Sequence, residues 1–174
     1  TSYSIKYYAE SPIPKQSIDS MLTVIDNSMS IYKADSKITL FNDPNTNEIA
    51  MDQHMKIVIA ESIKTYKQTK GYFDITIMPL VNLWGFGPKG FKNEPQEEQI
   101  KEALKVVGMK NIKVKGDRLI KKKKGVSIDV NGIAQGYTVD LLSAYFEAQQ
   151  ITNFIIEVGG EIRASGRKPQ GDFI

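Results

Sequence analysis

The stretch Asp129-Val130-Asn131-Gly132-Ile133-Ala134-Gln135-Gly136 sets a carboxylate beside a glycine where the chain is expected to enter a helix. Free N–H groups at a helix start, with the helix dipole behind them, form a ready site for phosphate. A carboxylate next to phosphate repels it, so something must lie between the two charges. A divalent cation would serve, as would a donor on the ligand such as a ribose hydroxyl or a ring N–H. The structural alternative is that Asp129 caps the helix and the glycines serve a tight turn. No Gly-Lys-Ser/Thr follows, so this is not a Walker A loop.

Gly71-Tyr72-Phe73-Asp74-Ile75-Thr76 puts an aromatic pair and a carboxylate just beyond an expected helix end. Asp74 and the backbone could hold the edge of a heterocycle while the aromatics wall it in. Alternatively, Phe73 is core and Asp74 caps the next turn. Tyr32, in Met29-Ser30-Ile31-Tyr32, could stack on a planar ligand or simply pack with its hydroxyl bonded. Glu157-Val158-Gly159-Gly160-Glu161-Ile162-Arg163 gathers two carboxylates and an Arg around a double glycine, with Arg163 available to pair with either Glu. Lys121 to Lys124 reads as the solvated end of a hairpin. His54 reads as structural.

These residues need a scaffold. Tyr3, Ile5 and Tyr7 alternate with polar neighbours, the pattern of a half-buried strand. Ile18, Met21, Leu22, Ile25 and Met29 follow helical spacing, as do Met55, Val58, Ile59, Ser62, Ile63 and Tyr66, with Gly71 placed to cap the second helix. Residues 43–47 form a loop by their turn chemistry. From Pro79 to Pro95 the chain is too irregular for a helix and too Gly-rich for a strand. Pro95 is expected in the first turn of a helix carrying Ile100, Leu104 and Val107 and ending at Gly108. A hairpin follows around Gly116-Asp117, then a strand over 126–130 and a helix over 133–146. Strands over 154–158 and 161–164 close the pattern. The mixture predicts an α+β fold with a mainly antiparallel sheet and flanking helices, organised as one domain over 1–174.

Composition limits the chemistry. The chain has 174 residues, with Lys+Arg 23 against Asp+Glu 20, a net +3 too balanced for nucleic acid to be the main partner. At 41% hydrophobic and 25% charged residues it is built to fold. No apolar run reaches the ~18 residues of a membrane span, and no signal-peptide pattern opens the chain. The absence of cysteine excludes disulfides, thiolate metal sites and a cysteine nucleophile, and the single histidine leaves little scope for a histidine-based triad. The start at Thr1 and the apolar end at Phe173-Ile174 suggest a trimmed chain whose C-terminal continuation is absent.

Order and spelling together are more specific than any one motif. Over essentially its whole length the chain resembles the ApbE family of FAD:protein FMN transferases. The resemblance begins at Thr1-Ser2-Tyr3-Ser4-Ile5 and runs through Met29-Ser30-Ile31-Tyr32 and Ser36-Lys37-Ile38-Thr39-Leu40-Phe41-Asn42. It is densest over 71–88, ending in Leu83-Trp84-Gly85-Phe86-Gly87-Pro88, and continues through 129–136 and 157–166. It implies an ApbE-like α+β domain with FAD as ligand and Mg²⁺ at the diphosphate. By the same resemblance Tyr32 packs on the flavin, and Tyr72, Phe73 and Asp74 line the FAD site. Asp129 and Gln135 contact the cofactor, and the backbone carbonyl of Gly132 helps hold the metal.

The implied reaction moves the FMN half of FAD onto a threonine of an acceptor flavoprotein and releases AMP. Alternatives are FAD hydrolysis without transfer, flavin binding alone, or a ligand-free interaction domain. Gln135 stands where many members carry Lys. The family's C-terminal third, with its candidate catalytic His and remaining metal ligands, has no counterpart here, and the resemblance carries no catalytic residue onto this sequence. The resemblance also implies an extracytoplasmic, membrane-anchored lipoprotein whose anchor lies upstream of Thr1.

Overall fold

A computed structural model describes residues 2–88, 90–91, 93–168 and 171. Thr1 and Asp172-Phe173-Ile174, on which the reading of trimmed ends rests, lie outside them. The chain is α+β, every strand pairing is antiparallel, and its contacts divide it into two compact units.

The first unit comprises residues 1–24 and 132–174. Its sheet has the order β1 (Tyr3–Tyr7), β5 (Phe154–Val158), β6 (Glu161–Ser165). Tyr3 pairs with Val158 and Tyr7 with Phe154, and β5 returns into β6 with Val158 opposite Glu161. Gly159 and Gly160 make that return at φ of 60° and 98°, a left-handed pair that side chains resist. Phe154, Ile156 and Val158 are buried on alternate positions of β5. They pack against Val139, Leu142 and Phe146 of α6 (Asn131–Ala148) and against Ile18 of α1 (Lys15–Met29). Phe146 sits edge-on to Tyr7, Phe154 and Tyr145, at ring separations of 5.1, 5.8 and 6.2 Å. The Tyr3 hydroxyl donates to Asp19 Oδ1 at 2.7 Å, tying β1 to α1.

The second unit covers 25–131. It holds α2 (Lys37–Asn42), β2 (Glu48–Ala50), α3 (Gln53–Gln68), α4 (Met78–Leu83), α5 (Glu97–Leu104), β3 (Ile112–Lys115) and β4 (Arg118–Lys121). Its sheet order is β2-β4-β3. Ile38, Phe41, Met55, Ile59, Leu119 and Ile128 are fully or almost fully buried. Among the described residues, no helix is long and apolar enough to cross a membrane.

The structure corrects several expectations. Residues 126–130 are not a strand: the extended chain is held by the Asn42 amide, which donates to Ile128 C=O (2.8 Å) and accepts from Ile128 N–H (2.7 Å). A side chain thus takes the place of a neighbouring strand. The region after Pro79 opens with the short helix α4, since Pro in a first turn has no N–H to lose. Pro95 precedes the α5 cap at Gln96, whose N–H donates to Gln99 Oε1, and α5 ends at Leu104, short of Val107. The helix expected from Ile133 begins at Asn131. Arg163 pairs with Asp140 at 2.7 Å and Glu147 at 3.8 Å, while Glu157 Oε1 accepts from Gly160 N–H in the β5–β6 turn. The short α2 and β2 gave no periodic signal.

Candidate functional site

Two places in the second unit concentrate polar chemistry. The first lies around Asp74 and Asp129. Helix α3 ends at Gln68, and the chain turns through Lys70 (φ 53°) and Gly71 (φ 92°), with Gly71 N–H reaching Tyr66 C=O at 2.9 Å. This turn projects Tyr72 into solvent at 96% exposure and leaves Phe73 half-buried, its N–H donating to Thr69 Oγ1. Asp74 then caps a 3₁₀ turn over Ile75–Ile77. Its Oδ1 accepts from Thr76 N–H (2.8 Å) and Thr76 Oγ1 (2.5 Å), and its Oδ2 from Met109 N–H (3.1 Å). Gly108 N–H donates to Thr76 Oγ1 at 2.6 Å, so the carboxylate knits 74–76 to 108–109.

Asp129 joins the same segment through its backbone, its N–H donating to Ile75 C=O at 2.7 Å. Its side chain accepts from Asn131 N–H at 2.8 Å, the capping geometry for the start of α6. Burial pushes the Asp129 carboxyl above its ordinary range, and the Asn131 N–H only partly opposes that. A half-buried carboxylate with one N–H partner is costly to keep charged. Gly132 and Gln135 occupy the first turns of α6 and are counted with the first unit. Neither Gly132 nor Gly136 has left-handed backbone, and a Cβ on Gly136 would meet nothing within 4 Å. Of the expected site residues, Tyr72, Phe73, Asp74 and Asp129 are thus brought onto one connected segment.

Tyr32 stands in a second place, a cavity of about 550 Å³. Its ring is 67% exposed and its hydroxyl donates to Phe86 C=O at 3.4 Å. Beside it the loop after α4 folds tightly on itself. A Cβ on Gly85 would lie 2.4 Å from Phe91 Cα, and one on Gly87 would lie 2.0 Å from Asn82 Oδ1. Those two glycines let the loop close over Asn82, whose Oδ1 is buried and without a hydrogen-bond partner among the described residues.

The cavity contains residues that the sequence-based expectations passed over. Lys121 is not a solvated lysine. It is half-buried, its Nζ donates to Asp43 C=O at 2.9 Å, and it lies 5.1 Å from the Phe41 ring centre. Burial lowers its pKa from the ordinary lysine value, opposed by the negative charge of Asp43. The signal was present in the alternation of β4, which puts Lys121 on the same face as the fully buried Leu119. Ser127 also lines the cavity, and its hydroxyl has no partner among the described residues. No cluster of three or more His, Asp or Glu side chains that could hold a metal forms among the described residues.

A sequence model of the ApbE family matches residues 1–173. The chain is 34% identical to an FAD:protein FMN transferase of Vibrio cholerae and 35% identical to one of Haemophilus influenzae, in each case over 98% of its length and 53% of theirs. The solved flavin transferase ApbE of Vibrio cholerae superposes with a TM-score of 0.92 at 32% identity, covering 98% of this chain and 57% of that one. The chain therefore spans about half the length of the curated relatives it matches.

Proposed function

From the premise that this chain belongs to the ApbE family, we propose that it is the flavin-binding portion of an FAD:protein FMN transferase. The match to proteins of that name across 98% of the chain carries the reading. FAD is then the substrate. A threonine hydroxyl of an acceptor flavoprotein attacks the phosphorus of the FMN half. The bond from that phosphorus to the bridging oxygen breaks, AMP leaves with the electron pair, and the hydroxyl proton passes to solvent or a base.

Within this chain the residues have positioning roles. Asp129 fixes the entry of α6 by capping Asn131, so the helix start meets the substrate with its dipole set. Its raised carboxyl pKa makes a ligand donor or cation beside it favourable, because either would compensate a charge that burial penalises. Asp74 holds its loop through Thr76 and Met109, keeping Tyr72 and Phe73 in place for the flavin. Gln135, on α6, offers a neutral amide as a further FAD contact.

A divalent cation would offset the diphosphate charge, and magnesium is the one this reading takes, with the Gly132 carbonyl as a donor. Among the described residues no group of three or more acidic or histidine side chains gathers to share that role. Residues 1–174 belong on this reading to one ApbE-like domain. The parent is taken as an extracytoplasmic, lipid-anchored protein with a threonine-bearing acceptor.

The test is incubation with FAD, Mg²⁺ and a threonine-containing acceptor peptide, followed by mass spectrometry and AMP assay. Peptide heavier by one FMN less water, with equimolar AMP, is the expected result. AMP without labelled peptide would make the protein a hydrolase, and no flavin binding would defeat the reading.

A further inference from the structure

A groove of about 340 Å³ runs between the C-terminal half of α3 and strand β3. Ile63, Ile112 and Val114 give it apolar surface, and every charged side chain on its lining is a lysine: Lys67, Lys110 and Lys113. Among the described residues none of these three ammoniums has a carboxylate within ion-pair distance. The strand beside the groove is also an open edge, the last in the order β2-β4-β3. Lys122 N–H donates to Asn111 C=O at 2.8 Å, so by antiparallel alternation residues 111, 113 and 115 bond toward β4. Ile112 and Val114 therefore turn their backbone groups outward. The Ile112 N–H is taken by Met109 C=O. The Ile112 carbonyl and both backbone groups of Val114 have no partner among the described residues. At its Met109 end the groove is tied to the Asp74 loop, since Met109 N–H donates to Asp74 Oδ2 at 3.1 Å.

We propose that this groove docks an extended, acidic segment of the acceptor protein, which adds a strand to β3 and lays an apolar side chain between Ile63 and Val114. Strand addition draws affinity from main-chain hydrogen bonds and specificity from the alternate side chains of the guest. Successive guest residues meet the apolar groove and the lysine face of β3 in turn, because side chains alternate across a strand. Unpaired ammoniums without a single carboxylate on the lining favour an acidic guest over a neutral or basic one. The same charges oppose pairing between two copies of this edge, where lysine would face lysine. Naming the acceptor as the partner rests on the flavin-transferase reading. The bond from Met109 to Asp74 joins the docking edge to the loop that carries Tyr72 and Phe73, so a docked segment raises the local concentration of the acceptor's threonine beside that loop.

The test titrates the chain, by fluorescence anisotropy at low salt, with labelled peptides that alternate Val with Glu, with Ser or with Lys. The Glu peptide should bind, the Ser peptide more weakly and the Lys peptide not at all, and added salt should weaken the Glu peptide. Combined Lys67→Glu and Lys113→Glu should weaken it about tenfold. Val114→Pro removes the outward N–H at a position where an edge strand tolerates proline, and it should weaken the Glu peptide as well. Thermal melts of the variants identify any loss of fold. A Glu peptide N-methylated on the amides that face β3 keeps its charges, needs no protein variant, and should also lose affinity. Failure of the Glu peptide to bind, or equal binding of the Lys peptide, would overturn the proposal. So would indifference to both N-methylation and Val114→Pro in a folded protein, which would leave charge attraction without strand pairing. Dimerisation of the free chain that Val114→Pro abolishes would make a second copy the occupant and overturn it too. FAD binding measured in parallel separates this proposal from the transferase reading. If FAD binds and the Glu peptide does not, only the docking groove falls; if the Glu peptide binds and FAD does not, the acceptor is lost as the partner together with the transferase reading.

Discussion

The β1-β5-β6 unit and the loop-rich 25–131 unit spend their residues differently. In the first, the residues of the sheet core agree at every level. β5 alternates, α6 presents Val139, Leu142 and Phe146, and the aromatic rings meet edge to face. In the second, the fold tolerates a carboxylate and a lysine that burial disfavours, an orphaned Asn82 oxygen and strongly exposed aromatics at Tyr32, Tyr72 and Phe86. Local penalties that packing does not explain tend to collect where a ligand supplies the compensation. The contrast separates residues kept for stability from residues kept at its expense.

Substitutions can break or sharpen that contrast. The largest effect is expected at Phe146, where Phe146→Ala should cost about 3–5 kcal/mol in denaturant unfolding, because a fully buried ring is lost from a closed core. A loss below about 1 kcal/mol would mean the first unit is less tightly packed than its contacts imply. Next comes Asn42→Ala, which strands the N–H and C=O of Ile128 and should destabilise by about 1–3 kcal/mol. Unchanged stability in the same assay would show that water replaces the amide.

Gly136→Ala should stabilise the free protein by about 0.5–1 kcal/mol, since the helix gains propensity and the new methyl meets nothing. A destabilised variant would reveal a packing role at that position. The smallest stability change belongs to Asp129→Asn, and its sign follows from the raised pKa. Between the unfolded value, near 3.8, and the higher native value, the folded chain holds more protons than the unfolded one. Stability therefore falls as pH rises through that window, and the deficit is complete above it. Asn keeps the cap without the charge, so the variant should melt higher than wild type at neutral pH, with the gain disappearing below the unfolded value. A lower melting temperature at neutral pH would show that the charge stabilises the free fold.

What the sequence discloses follows the same division. The β5–β6 hairpin is legible residue by residue, because a period of two and a double glycine leave one solution. Helices α1 and α3 are legible from their apolar stripes. The segment over 126–130 misleads, since an Asn 86 positions away does the work of a strand and leaves no local pattern. Lys121 is hidden for another reason: four successive lysines suggest solvent, and only the strand period separates the first from the rest. The capping contacts of Asp74 and Asp129 were open alternatives that geometry makes concrete, and they coexist with the proposed ligand roles.

That coexistence gives the decisive measurement, which is FAD affinity of the wild-type and Asp129→Asn chains at neutral pH, by flavin fluorescence, alongside their melting temperatures without ligand. The account predicts a variant that is at least as stable as wild type and binds FAD more weakly. An Asp129→Asn chain with undiminished FAD affinity would contradict it and leave Asp129 as a helix cap alone.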